Sequence, residues 1–341
     1  MPKAVVAGGN DNRPMQFSPK TVGISAAVIT IAIWTSFIVV ARYMALRSLA
    51  PLDIVLCRML GASLVLLPWG YFMVRKMRLA NSTAPTWLGL SPLSLRITAI
   101  IGTFGGIGYA VLAYSAFVYA PASHGSVLMP GMLPLTTALL SVWLLGERVR
   151  GARLLGLAMI LCGGLLVGGA SLLKAFDGGE VWKGDILFVC ASTTWAAYTV
   201  SCRKYALSAV PATIAVVVFC MVTYVPVYSV LAFSGLVHST LASAPWGEIA
   251  FQVLWQGMGS VVISGIAFTK MVQYFGPIRS TMLTAIVPGL SALGAVLFLG
   301  EPLSWNLIAG LALVTLGIVV GVRFVGKTAV LPVTAAASVA R

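Results

Sequence analysis

The sequence predicts an all-α membrane protein of ten transmembrane helices, arranged as two inverted five-helix repeats. Three observations carry the prediction. Of 341 residues, 59% are hydrophobic and only 9% charged, with a mean hydropathy of +0.99. A soluble domain of this size carries about 25% charged residues, so lipid is the medium that suits this surface. Next, the apolar residues fall in runs of roughly twenty, the length that spans a bilayer as a helix. Finally, two runs end in the same way, "SVWLLGE" at Gly146-Glu147 and "AVLFLGE" at Gly300-Glu301, at an offset of 154 residues.

The ten runs cover residues 22–41, 54–74, 97–118, 125–145, 154–173, 186–202, 212–233, 249–271, 280–299 and 303–322. Only helices and closed barrels satisfy the backbone in hydrocarbon. Barrel strands are about ten residues long and alternate strictly; these runs do neither. Gly276-Pro277 predicts the end of the eighth helix. Residues 1–21 and 326–341 read as polar tails, 22–173 and 186–325 as the two units, and 174–185 as the linker. The first run is long for a signal-peptide core and reads as a retained span.

Sixteen of the 22 Lys and Arg lie in one set of loops and tails, and four (Arg42, Arg47, Lys174 and Lys183) in the other. The positive-inside rule then places both termini in the cytoplasm. The net charge of +14 is scattered over short loops without a basic face, which argues against nucleic acid as a partner. Five cysteines without CxxC spacing and two histidines, His124 and His238, give neither a disulfide framework nor a metal site. Both histidines read as interface residues. Nothing in the sequence calls for a cofactor. Without a Walker motif the chain carries no ATP drive of its own, and without HExxH or an intramembrane acidic pair it is no enzyme of a familiar type.

The repeat explains the shared ending. At an offset of 154, "SVLMPGMLPLTTALLSVWLLGE" (126–147) lies on "STMLTAIVPGLSALGAVLFLGE" (280–301), with eight of 22 positions identical, Pro134/Pro288 among them. At an offset of 161, "WTSFIVVAR" (34–42) lies on "WAAYTVSCR" (195–203). Five spans per unit is an odd number, so the second unit is inverted, the pattern of alternating-access transporters. Gly at such a stop suits the left-handed residue that ends a helix, and a carboxylate after it favours the next helix N-terminus. Glu147 and Glu301 therefore read as hairpin closures, with a direct role in substrate handling or coupling as the alternative.

The Gly-Glu stop before the fifth span, the Pro in the span before it and the "APLDIVLCRMLGA" opening of the second span resemble the EamA family of the drug/metabolite transporter superfamily. The resemblance covers residues 22–325. It implies a central cavity lined by spans 1, 3, 4, 6, 8 and 9, and a permease that moves small metabolites, often outward. Amino acids are common cargo, and a bacterial inner membrane is the implied location.

Against that background, Arg58 and Lys270 are the two intramembrane cations. A charge at that depth costs about 2.5–3.5 kcal/mol on insertion scales and faces a partner or a wet cavity, or else snorkels. Either would receive a substrate carboxylate. Trp34 and Trp195 are repeat mates at mid-span, away from the interface where Trp usually sits, and read as cavity wall or as core. Tyr109, Tyr114, Tyr198, Trp255, Gln256, Ser260 and Ser264 extend the polar-aromatic set, from which a mostly apolar small-molecule site is built. Pro134 and Pro288 are matched helix bends, hinges for two gates or static kinks. GxxxG pairs at Gly102/Gly106, Gly164/Gly168 and Gly317/Gly321 serve close helix packing or a homodimer. No Asp or Glu lies in mid-span, which favours an exchanger or facilitator over a proton-driven pump. The reading is a secondary transporter, an exporter or exchanger of amino acids or related zwitterionic or carboxylate compounds. The alternative is a multidrug exporter of amphipathic compounds.

Overall fold

The structure, a computed structural model, describes residues 19–149 and 151–323. It is helical throughout. In chain order the helices are α1 (Pro19–Ala45), α2 (Pro51–Leu79), α3 (Leu95–Tyr119), α4 (Ala122–Leu145), α5 (Ala152–Ala175), α6 (Val181–Lys204) and α7 (Ala209–Phe233). They continue with α8 (Trp246–Gln252, Val253–Ile263 and Ser264–Thr284, end to end), α9 (Val287–Leu299) and α10 (Trp305–Arg323). Among the described residues, seven helices are long and apolar enough to cross a membrane, α1 to α5, α7 and α8, and α9 and α10 are shorter apolar helices. The tails expected at 1–21 and 326–341 fall outside the described residues except for 19–21.

Local sequence sets most of these boundaries. Pro51 opens α2 with Asp53 in its first turn, where a missing N–H costs nothing and a carboxylate suits the helix dipole. The Ser94 hydroxyl caps α3 by accepting from the Ile97 N–H. The two Gly-Glu stops are twins. Gly146 and Gly300 both have φ +67°, the left-handed region that favours glycine. In each case the Gly N–H returns to the carbonyl four residues back and the Glu N–H to the one six back, closing a Schellman cap.

Two boundaries differ from the sequence reading. α8 runs helically through Gly276-Pro277, and the break falls instead at 285–286, ahead of Pro288 in the first turn of α9. The bar on helix before proline is partly a clash of the ring with the preceding Cβ, which Gly276 lacks. The other is α6, which starts at Val181, not at 186, so Asp185 lies inside the helix and is buried. Gly184 permits this start, because a Cβ there would meet the Ala116 carbonyl oxygen at 2.7 Å as α6 packs on α3.

The closest crossings join the two halves of the chain. On α5 and α10, a Cβ at Gly156 would sit 2.5 Å from the Gly317 carbonyl oxygen, and one at Gly317 2.6 Å from that of Gly156. The Gly317 face expected to pack helices is thus used within the chain. Between α2 and α8, a Cβ at Gly61 would lie 2.0 Å from the Val253 oxygen, and one at Gly257 2.5 Å from the Gly61 Cα. Outside, large apolar side chains such as Leu64, Phe72, Trp143 and Phe298 are exposed, as they are where lipid is the solvent.

Candidate functional site: a buried arginine between the two halves

Arg58 sits on α2 one turn before the Gly61/Gly257 crossing, and only 7% of it is exposed. Its Nη1 donates to Ser260 Oγ on α8 at 3.1 Å and more loosely to the Tyr114 hydroxyl on α3 at 3.4 Å. Its guanidinium lies 5.8 Å from the centroid of the Phe37 ring on α1. Among the described residues no carboxylate pairs with it. Asp53, one helical turn and a half earlier, is committed elsewhere. It is fully buried and accepts from the hydroxyls of Tyr228, Ser239 and Thr240 and from the Thr240 N–H. That knot ties the loop after α7 to the start of α2.

The α8 wall is unusual in its backbone and its side chains. Val253–Ile263 is a π-helix of 11 residues, a form that recurs at functional sites because its wider turns re-aim side chains. Shorter π segments interrupt α3 at Thr103–Gly108 and α4 at Val127–Gly131, beside Tyr109 and around Pro130. Gln252 and Gln256, four residues apart on α8, are fully buried, and among the described residues neither amide has a hydrogen-bond partner at either atom. The Trp255 N–H and Thr35 hydroxyl are unpartnered as well. Buried polar atoms are nearly always satisfied, and three of these four residues lie on the helix that also carries Ser260, the partner of Arg58.

The aromatic residues form two groups. Trp195 on α6 packs against Tyr109 on α3 and Tyr198, at centroid distances of 4.7 and 5.0 Å. Its repeat mate Trp34 stacks on Phe268 of α8 at 5.2 Å. Each Trp thus meets the other half of the chain. Tyr114 is 1% exposed and packs edge-on to Phe37 at 6.0 Å. Lys270 is exposed and stands apart from the contacts around Arg58. Pro134 lies in the first turn of the α-helical part of α4, and Pro288 in the first turn of α9 and buried. A cavity of about 500 Å³ opens near the end of α2, lined by Tyr71, Arg75, Arg78 and Thr86 among others; at roughly 1.5 Å per residue this is about 25 Å along the helix from Arg58.

Glu147 and Glu301 both carry charge partners. Glu147 pairs with Arg203 at the end of α6. Glu301 lies 3.9 Å from the Arg42 guanidinium at the end of α1 and accepts the N–H groups of Ala122 and Ser123, at 2.7 and 2.9 Å. His124 Nδ1 lies 2.9 Å from Asp185 Oδ1, whose other oxygen accepts from Ser171. His238 is exposed. Sequence reasoning passed over Asp185 by placing it in a linker, and did not single out Gln252 within the 249–271 run. The i, i+4 spacing of Gln252 with Gln256 was the available signal.

The model of the EamA-like transporter family matches residues 21–169 and 182–323, both repeats and most of the chain. The chain belongs to the EamA family. Among curated relatives, this EamA chain is 28% identical over 246 residues to the aromatic amino acid exporter YddG of Ancylobacter novellus, covering 67% of this chain and 79% of that one. It is 23% identical over 244 residues to the uncharacterised transporter YyaM of Bacillus subtilis, covering 67% and 75%. A solved crystal structure aligns at a TM-score of 0.52 and 21% identity over 89% of this chain and 96% of its own, a likeness of fold. The EamA chain is thus a multi-pass membrane transporter and not an enzyme.

Proposed function

We propose that this EamA transporter exports or exchanges amino acids, or related zwitterionic or carboxylate compounds, by alternating access between two inverted five-helix units. α1–α5 form one unit and α6–α10 the other, each helix crossing once. Both termini face the cytoplasm, in line with the sixteen-to-four distribution of Lys and Arg. One observation carries the substrate class. Among the described residues Arg58 is a buried cation that donates to neutral hydroxyl oxygens, one of them Ser260 on α8, the helix that also carries the unpartnered Gln252 and Gln256 amides. A carboxylate supplies what Arg58 lacks, an opposite charge in a fork-shaped geometry. The aromatic groups at Trp34, Trp195, Tyr109 and Tyr198 suit an apolar or aromatic side group, and the relation to an aromatic amino acid exporter points the same way.

Counterflow in liposomes tests this. Vesicles preloaded with phenylalanine or tryptophan take up the labelled compound, and competitors are added outside. Free amino acids compete, whereas the corresponding amides, which lack the carboxylate, do not. Equal competition by amide and acid, or by a cationic dye, refutes the carboxylate reading and favours the multidrug alternative.

A further inference from the structure

The sequence repeat and the ion pairs interlock in a way neither shows alone. Glu147 and Glu301 are repeat mates at the 154-residue offset, and Arg42 and Arg203 are mates at the 161-residue offset. The structure pairs them crosswise: Glu147 of the first unit with Arg203 of the second, Glu301 of the second with Arg42 of the first. The pairs lie at opposite ends of α4. Arg203 also donates to Ser141 near the C-terminal end of α4, at 3.3 Å, while Glu301 holds the first N–H groups of α4. A helix of this length spans roughly 35 Å, so each face of the bundle carries one such bridge between the units.

We infer that Arg42–Glu301 and Arg203–Glu147 are the two latches of the transporter, each closing one face by tying one unit to the other. This rests on the alternating-access reading above. The latches are unequal, and the sequence says why. Glu301 gains two backbone donors because the chain breaks before α4 and leaves the N–H groups of Ala122 and Ser123 free. The 154-residue offset puts Gly276 and Pro277 at those positions in the second unit. Pro277 has no N–H, and the backbone there is already helical. Among the described residues Glu147 therefore has no equivalent pair of donors. The side chains follow: Arg42 and Glu301 are 17% and 11% exposed, Arg203 and Glu147 49% and 31%. The mates one residue inside each latch follow too, Ala41 being fully buried and Cys202 partly exposed. Both latches are formed in the structure, and the Arg42 face is the more firmly held of the two.

Thiol labelling of the full chain in liposomes tests the latches. Cys202 reports the Arg203 face once Cys57, Cys162, Cys190 and Cys220 are replaced by alanine, and Ala41→Cys with Cys202→Ala reports the Arg42 face. Glu301→Gln is expected to raise the labelling rate of Ala41→Cys by about tenfold and to slow Cys202, the population change that follows loss of one partly buried charge-assisted bond. Glu147→Gln moves both rates the other way by a few-fold, since its pair is more exposed. Arg203→Glu combined with Glu147→Arg, at the pair for which no backbone donors are described, restores the rates shifted by Glu147→Gln toward those of the parent. Should Glu301→Gln fail to fold, Arg42→Gln removes the pair and leaves the α4 cap in place, and the same shifts are required of it. Rates within twofold of the parent in a variant that still supports counterflow overturn the latch assignment and leave the transport reading standing. Absence of counterflow in the parent, with neither rate responding to saturating amino acid, overturns the amino-acid reading of the proposed function instead.

Discussion

Replacing Arg58 by glutamine separates binding from stability. Arg58 has no carboxylate partner among the described residues, and its hydrogen bonds at 3.1 and 3.4 Å go to neutral hydroxyls. Its charge inside the membrane costs up to about 2.5–3.5 kcal/mol on insertion scales, and its two long hydrogen bonds, charge-assisted on the donor side, return about 1.5–3 kcal/mol. Arg58→Gln therefore leaves the apo protein as stable as the parent, or more stable by roughly 1 kcal/mol. The bound state changes the other way. A guanidinium–carboxylate hydrogen bond contributes about 1.5–3 kcal/mol, so affinity for the amino acid falls roughly 10- to 100-fold at about 1.4 kcal/mol per decade. Arg58→Lys keeps the charge but loses the fork, and lies between. Binding of labelled phenylalanine to purified protein measures the affinity, and thermal unfolding followed by tryptophan fluorescence measures the stability. Unchanged affinity refutes the carboxylate contact. A clear drop in unfolding temperature refutes the claim that Arg58 is held at a cost.

Three other substitutions test separate parts of the structure. Gln256→Leu removes an amide whose two polar atoms are buried without partners; it should stabilise the apo protein by about 1–3 kcal/mol and weaken substrate binding, and a lower unfolding temperature would show that the amide is satisfied. Asp53→Asn leaves donors of Thr240 facing an amide N–H₂ in place of an oxygen, with an expected loss of about 2 kcal/mol in chemical denaturation and little change in binding. Gly317→Val forces a side chain against the Gly156 carbonyl 2.6 Å away and should cost at least about 1–3 kcal/mol, whereas Gly169→Ala, with open space around its Cβ, serves as the neutral control in the same thermal scan.

The helical class, the repeat and the two left-handed glycine stops were legible in the sequence because each rests on local chemistry: run length, residue periodicity, and the one residue type that takes φ +67° without cost. Arg58 was legible for a related reason, since a cation in an apolar run is anomalous wherever it packs. What surrounds it was not. That Asp53 turns away from Arg58 toward Tyr228 and Thr240 depends on how the loop after α7 folds back 187 residues downstream, which no window of sequence contains. The π-helical stretch at Val253–Ile263 has no composition of its own. Lys270 shows the converse: it reads like Arg58 in sequence, but exposure depends on the azimuth of its helix, which the neighbouring helices set. Gly276-Pro277 misled because a rule about a Cβ clash was applied to a residue that has no Cβ.

The two charge features belong to one energetic argument. An alternating-access protein needs an empty state whose closed face is held firmly enough to be sealed, and a substrate whose binding differs between states by a comparable amount. The Arg42–Glu301 latch, partly buried and reinforced by two backbone N–H groups, contributes on the order of 2–4 kcal/mol as charge-assisted bonds. The Arg203–Glu147 latch, with Arg203 half exposed, contributes about 1 kcal/mol or less. A substrate carboxylate on Arg58 returns about 1.5–3 kcal/mol per bond, which matches the difference between the latches. If that contact forms only with the Arg42 face open, substrate binding at Arg58 is large enough to exchange one closed face for the other, and binding of an analogue without a carboxylate is not. In the labelling assay, saturating phenylalanine should slow Cys202 and speed Ala41→Cys in the parent, and phenylalaninamide should move neither. If the amide moves both as far as the acid does, the energy that opens the Arg42 face comes from the aromatic contacts and not from Arg58.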